Sequence, residues 1–399
     1  MKKVLIITHA MEIGGAERSL LGLLNSFDYS KYSIDLFLCR KEGELLRYIP
    51  KSVNILKSNQ AQFLAVPMKR LVKKKQWKIL FGRIQAKILS KIYIWRKKIK
   101  SENQVELTYS HKYTYKYLDY ISPNITYDLA ISFLTPHYIC VNKCNANKKI
   151  AWIHTDYSTI DIDTKTELEM WNPFNYIASI SDECTTAFLS RFPSLKNKII
   201  RIDNIITKEM INSLANDFVP AEIRKISNEY LFCSIGRFCY QKNFDNIPSI
   251  GKQLLKFGLD FKWYIIGYGQ DEDLIKNKIE EEHMEKYIYI LGKKINPYPY
   301  IKICDFYIQP SRYEGKAVAV REAQLLCKPA IISNYPTSSS QLTNQVDGFI
   351  VSLDNQEFAS QSIKIIKNKE LINKVKHTLE NTNYSNKNEI KKIYAIMGD

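Results

Sequence analysis

Glu314 and Glu322 stand with seven residues between them in the segment Ser311-Arg-Tyr-Glu-Gly-Lys-Ala-Val-Ala-Val-Arg-Glu-Ala. The apolar run Phe306–Gln309 precedes that segment, so the order is strand, short loop, helix, a ligand-binding arrangement at the carboxyl end of a sheet strand. Backbone N–H groups at the helix start, near Gly315, Lys316 and Ala317, have no intrahelical partner and sit at the positive end of the helix dipole, which suits a diphosphate. Glu314 beside them is placed to accept hydrogen bonds from sugar hydroxyls, and Glu322, two turns on, to take ribose hydroxyls. Singly, each glutamate reads as an ordinary helix-start or surface acid. What strengthens the pair is that other signals follow in the order such a site needs.

The first is Ile235-Gly-Arg-Phe-Cys-Tyr-Gln-Lys-Asn, after the apolar run Tyr230–Ile235. Gly236 lets the chain turn at the strand end, and Arg237 and Lys242 put two cations in the following loop. Gly267 and Gly269 close another strand, a weak signal alone. Near the N-terminus Gly14-Gly15-Ala-Glu-Arg opens a helix after Val4–Thr8, with glycines that admit a close backbone approach. His154 ends the run Ile150–His154, and a structural role for it is as good a reading as a catalytic one; His9, just after the first run, also could reach the cleft and is the weaker candidate. Asp161-Ile-Asp163 has no phosphate signal beside it and reads as incidental rather than as a metal site.

These residues need a scaffold. Short apolar runs at Val4–Thr8, Ile34–Cys39, Val53–Leu56, Leu129–Phe133, Ile150–His154, Ile177–Ser181 and Ile199–Asp203 alternate with helical patterns, as in a parallel sheet covered on both faces. After a polar stretch around 215–228 the alternation restarts at Tyr230–Ile235, Lys262–Ile266, Tyr287–Leu291, Phe306–Gln309, Ala330–Ser333 and Phe349–Ser352. Two α/β domains are expected, over 1–206 and 207–380, with a helical tail over 381–399.

The 399 residues suit two domains of ordinary size, and 45% hydrophobic with 12% aromatic residues excludes wholesale disorder. A formal net charge of +17 attracts an acidic partner without choosing among nucleic acid, anionic membrane and phosphorylated substrate. The eight cysteines lack the spacing of a disulfide scaffold or a paired zinc site and read as reduced packing residues. The apolar start is too short for a signal peptide, and no run is long enough to span a bilayer. The stretch Lys69–Lys100, within an insertion of about 68–100, holds many Lys and Arg and no Asp or Glu, interleaved with Trp77, Ile79, Leu80, Phe81, Ile84, Ile88, Leu89, Ile92 and Trp95. A basic amphipathic helix touching a membrane surface and a solvated basic face packed on its own domain are both open readings. Nucleic acid is not expected, because no recognition motif accompanies the charge.

Taken with Gly14-Gly15-Ala16-Glu17, Ile153-His154-Thr155-Asp156, Ile177–Ser181, the surroundings of Asn204, Gly236-Arg237 with Lys242, Gly267-Tyr-Gly269 and the Glu314/Glu322 spacing, the chain resembles glycosyltransferase family 4 nearly end to end. The resemblance implies a GT-B architecture: two Rossmann-like parallel-sheet domains facing across a cleft, with C-terminal helices packing back on the first. It implies that Arg237 and Lys242 bind the donor diphosphate, that Glu314 holds sugar hydroxyls and Glu322 the ribose, that His154 faces the sugar, and that Gly15 admits the donor phosphate. It further implies retaining transfer from a nucleotide sugar, UDP-linked in the commonest case, without metal or cofactor, to a saccharide or lipid-linked saccharide. The basic stretch would then serve a cytoplasmic protein held peripherally at the inner membrane face, in capsule, exopolysaccharide or lipopolysaccharide assembly. One departure is Lys316-Ala317, where many relatives carry an aromatic residue and a proline. The alternatives are a nucleotide-sugar epimerase of the same architecture and a non-catalytic subunit of a membrane assembly. On this reading Lys242→Ala silences the enzyme while thermal stability barely moves.

Overall fold

The computed structural model describes residues 1–99, 103–155, 157–223, 229–314 and 317–399. The chain divides into two compact units, Met1–Ile205 with Asn386–Asp399, and Ile206–Ser385.

Unit 1 is built on β1 (Lys2–Thr8), β2 (Tyr32–Leu38), β3 (Asn54–Ile55), β4 (Thr126–Ser132), β5 (Asn145–Ile153), β6 (Tyr176–Ser179) and β7 (Ile199–Arg201). They form one parallel sheet in the order β3-β2-β1-β4-β5-β6-β7. Val4 pairs with Ile34 on one side and Leu129 on the other, so β1 is central and buried from Val4 to Thr8. Strands covered on both faces read as continuous apolar runs, which is why the runs in the sequence coincide with the strands. The core joins Leu5, Ile7, Ile153, Trp171 and Phe188 among others.

The helix α1 (Gly15–Leu24) follows β1; α2 (Met68–Lys73), α3 (Trp77–Lys97) and α4 (Val105–Thr114) lie between β3 and β4. α3 and α4 cross closely: a Cβ on Gly82 would sit 2.5 Å from the carbonyl oxygen of Tyr113, so only glycine permits that approach. The last helix, Ile390–Ile396, belongs to unit 1. Tyr394 stacks on Tyr32 with ring centres 4.4 Å apart, its hydroxyl accepts from the Asp28 N–H at 2.9 Å, Lys148 donates to the Ile396 carbonyl at 2.6 Å, and Lys2 pairs with Asp399.

Unit 2 repeats the plan with β8 (Tyr230–Ile235), β9 (Phe261–Ile266), β10 (Ile288–Gly292), β11 (Phe306–Gln309), β12 (Ala330–Ser333) and β13 (Phe349–Val351), in the parallel order β10-β9-β8-β11-β12-β13. The chain works outward from β8 to β10, then returns to the other side of β8 with β11. Such a reversal of strand order opens a crevice at the carboxyl ends of the two strands flanking it, where open α/β sheets bind their ligands. In unit 2 those strands are β8 and β11; in unit 1 they are β1 and β4.

None of the eight cysteines is in a disulfide. No helix among the described residues is long and apolar enough to cross a membrane.

Candidate functional site

The crevice of unit 2 is made by the loops after β8 and β11. Gly236 directly follows β8, and its carbonyl oxygen lies 1.8 Å from where a Cβ on Gly267 would be, so the turns after β8 and β9 touch backbone to backbone. The loop then makes one 3-10 turn, Tyr240–Lys242, and reverses at Asn243, whose φ of 60° is left-handed. Asparagine tolerates that conformation. Its buried side chain donates to the Pro310 carbonyl at 2.8 Å and so ties the two loops together. Arg312 adds a second stitch: it grips Asp245 through two bonds of 3.0 and 2.7 Å, donates to the Tyr240 carbonyl at 2.6 Å, and lies over the Tyr240 ring. The hydrogen bonds to Asp245 hold its pKa above the usual value despite partial burial.

This framework brings Lys242 and Glu314 together. The ammonium donates to Glu314 Oε1 at 2.6 Å with both side chains largely buried. Ser311 donates to the same oxygen at 2.6 Å, and Gln241 to Oε2 at 3.1 Å. Behind them Tyr307 donates to Gln309, and Gln309 to Ser311 at 2.8 Å. The carboxylate is therefore fixed in direction, while the lysine keeps further N–H donors for a second anion. Glu322, buried on the helix Val318–Leu325, accepts from the Tyr298 hydroxyl at 2.8 Å. Arg237 is exposed in the loop after β8.

The residues expected at the start of that helix fare differently. Gly315 and Lys316 lie outside the described residues. The Ala317 N–H, expected to be open to phosphate, donates to Gln341 Oε1 at 2.8 Å. A side chain distant in sequence has satisfied the orphan donor, so a ligand reaches it only by displacing Gln341. Sequence reasoning also passed over Tyr335, just beyond β12. It is buried, and its hydroxyl has no hydrogen-bond partner among the described residues. Burial, then the charge of Glu314, push its pKa up. An Asn-Tyr-Pro turn following an apolar run was the available signal.

The crevice of unit 1 gathers four histidines. His154 directly follows β5, its ring 4.5 Å from that of Phe133 and stacked on Trp152. His9 follows β1 and stacks on His111 of α4 at 5.2 Å. His137, after β4, is fully buried, with Nδ1 2.8 Å from the Ser132 hydroxyl and the ring edge-on to Trp171. Each has one buried ring nitrogen with no partner among the described residues. Burial lowers His154 to about 3, and burial with the Arg40 charge lowers His9 to about 4. Burial also holds His111 and His137 well below the ordinary value, helped for His111 by His9 and Arg83, and for His137 by His9, His154 and His111. All four are neutral at pH 7, hydrogen-bonding groups rather than charges. His111 and His137 were invisible in the sequence, each a lone histidine. Gly15 opens α1 beside this crevice, and a Cβ there would meet nothing, so packing does not account for the glycine. Among the described residues no three His, Cys, Asp or Glu converge as metal ligands.

Residues 216–383 match the family model of glycosyl transferases group 1, so unit 2 carries a domain of that kind. Amylovoran biosynthesis glycosyltransferase AmsD of Erwinia amylovora is 30% identical over 185 residues, covering 46% of this chain and 50% of that protein. The UDP-Gal:α-D-GlcNAc-diphosphoundecaprenol α-1,3-galactosyltransferase of Escherichia coli is 28% identical over 148 residues, 36% of this chain and 38% of that one. The chain thus spans half or less of these two relatives. A crystal structure of the S. aureus protein TarM, in complex with fondaparinux, α-GlcNAc-glycerol and UDP, superposes with a TM-score of 0.63 at 14% identity, covering 100% of both chains. At that identity the likeness is one of fold: two Rossmann-like domains, the GT-B architecture.

Proposed function

We propose that this protein is a retaining, metal-independent glycosyltransferase that moves a hexosyl or N-acetylhexosaminyl residue from a UDP-sugar to a lipid-linked saccharide in bacterial polysaccharide assembly, at the cytoplasmic face of the membrane. The observation that carries the reading is the Lys242–Glu314 pair at the crevice between β8 and β11, 2.6 Å apart and braced by Ser311 and Gln241. The group 1 match to unit 2 supports the donor side. UDP in the TarM complex and the diphosphoundecaprenol-linked substrate in the name of the E. coli relative support the choice of donor and acceptor.

In this mechanism Lys242 and Arg237 meet the donor diphosphate, Glu314 orients the sugar through its hydroxyls, and Glu322 takes the ribose. The bond between the anomeric carbon and the β-phosphate oxygen breaks as the acceptor hydroxyl attacks on the same face. The hydroxyl proton passes to the leaving phosphate oxygen. Fixed cations stabilise the charge that develops there without reorganising. Glu314, bound to Lys242 and Ser311, is a sugar binder and not a nucleophile, so the parent protein incubated with donor should show no glycosyl-enzyme adduct by intact-mass spectrometry.

The decisive experiment presents UDP-, GDP- and ADP-sugars to the purified protein with EDTA present and follows binding and slow nucleotide release. UDP-sugar binding and release that EDTA does not abolish are expected. No binding of any nucleotide sugar would return the protein to the class of non-catalytic subunits. Tyr335→Phe gives a finer test. Its hydroxyl makes no bond among the described residues, so removing it should leave thermal stability unchanged or slightly higher. A donor KM raised several-fold at constant Tm is expected from a hydroxyl waiting for the donor; an unchanged KM makes it a bystander.

A further inference from the structure

α3 has two apolar faces, and only one is used. Ile79, Gly82, Ala86 and Ser90 are buried, and the close approach at Gly82 clamps that face on α4. On the opposite side Trp77, Phe81, Ile84, Ile88, Ile92 and Trp95 are exposed, Phe81 by 62% and Trp95 by 78%. At roughly 100° per residue these six fall within an arc of about 80°, centred nearly opposite the buried four. The expected apolar stripe is therefore divided: Ile79 faces inward, Leu80 and Leu89 are partly packed, and the remaining six form a ridge in water. Exposed Lys87 and Lys91 border the ridge on one side and exposed Lys78 and Arg96 on the other. No Asp or Glu occurs in the sequence between Glu44 and Glu102, so no acid of this stretch offsets those cations.

We propose that this ridge of α3 is a membrane-insertion surface: the helix lies flat on an anionic bilayer, its six apolar side chains sunk into the headgroup boundary and its flanking cations on lipid phosphates. An apolar ridge with cationic borders matches an anionic bilayer surface in both layers, acyl and headgroup, and a helix of 21 residues extends about 30 Å along it. Trp77 and Trp95, near its two ends, have the amphipathic rings that favour that depth. The insertion extends the reading of a lipid-linked acceptor and rests on it for its purpose. Vesicle binding needs neither donor nor acceptor, so it succeeds or fails separately from the enzymology.

The test is co-sedimentation of the full chain with vesicles of phosphatidylcholine alone and with about one-third phosphatidylglycerol, at low ionic strength, where surface charge is least screened. Expected are binding at least tenfold tighter to the anionic vesicles, and quenching of tryptophan fluorescence by brominated lipid that the double variant Trp77→Phe/Trp95→Phe loses. Phe81→Ser with Ile88→Ser, both on the exposed face, should keep the circular dichroism and Tm of the parent and lose at least tenfold in vesicle affinity. Lys87→Glu with Lys91→Glu should abolish the preference for anionic lipid. Absence of binding to anionic vesicles, undiminished binding by the serine variant, or a lipid-free dimer that the serine variant dissolves would each overturn the proposal, the last by making a second copy the occupant.

Discussion

Lys242→Ala is expected to lower turnover of the nucleotide sugar by about 100-fold or more, the usual loss when a preorganised charge stabiliser is removed. The geometry adds a consequence that the sequence reading had the other way round. Lys242 is a buried partner of Glu314 as well as a phosphate binder. Its loss strands a carboxylate that is 8% exposed, with Ser311 and Gln241 as its remaining close donors. Stranding a buried charge costs roughly 3 kcal/mol or more, less here because those donors stay, and each kcal/mol lowers the melting temperature of a unit this size by about 2–4 °C. Lys242→Ala should therefore be several degrees less stable. Adding Glu314→Gln removes the stranded charge, so the double variant should regain the lost degrees while staying inactive. Calorimetry beside a turnover assay separates the two roles. A single variant that is inactive at full stability would mean the pair is not held as described.

Mild acid should open unit 1 before unit 2. His111 and His137 are buried and His9 and His154 half-buried, all four in unit 1, whereas His283 and His377 of unit 2 are exposed. These four rings have folded-state pKa values below the unfolded value of about 6.5, so the native unit favours their neutral form. That contribution is whole above pH 6.5. It is lost as pH falls towards the folded values, about 4 for His9 and about 3 for His154. Each ring weakens unit 1 by about 1.4 kcal/mol per pH unit across that window. His9 and His154 together therefore cost unit 1 about 5 kcal/mol by two pH units below 6.5, and His111 and His137 act in the same direction. Hydrogen exchange read by peptide should lose protection in β1, β4 and β5 near pH 5 while β8 and β11 keep theirs. Simultaneous loss in both units would show that the histidines do not govern the acid transition.

How far the sequence carried depends on the range of the interactions. Each of the thirteen strands among the described residues lies on an apolar run, and the central ones do so because a strand buried on both faces has no solvent side to dilute the pattern. Their limits moved where hydrogen bonding outran hydrophobicity: β5 begins at Asn145, through Asn147, Lys148 and Lys149, five residues before the apolar run. The pairing of Lys242 with Glu314 was not legible, although both residues were singled out, because it depends on Asn243 and Arg312 drawing two loops together. The Ala317 N–H is taken by Gln341, 24 residues on, and no local rule anticipates that. In α3 the apolar count marked amphipathicity but not which arc would be buried. Gly82, Ala86 and Ser90, small residues at successive turns, were the sign of the packed side.

The last fourteen residues of the chain complete a unit whose other 205 come first, with unit 2 between them. During synthesis, then, β1 and β2 leave the ribosome long before Tyr394 can cover Tyr32, and the whole of unit 2 emerges in the interval. That part of the N-terminal surface stays bare until the chain is released, so the stacking of Tyr394 on Tyr32 joins the first-made and last-made residues of the protein.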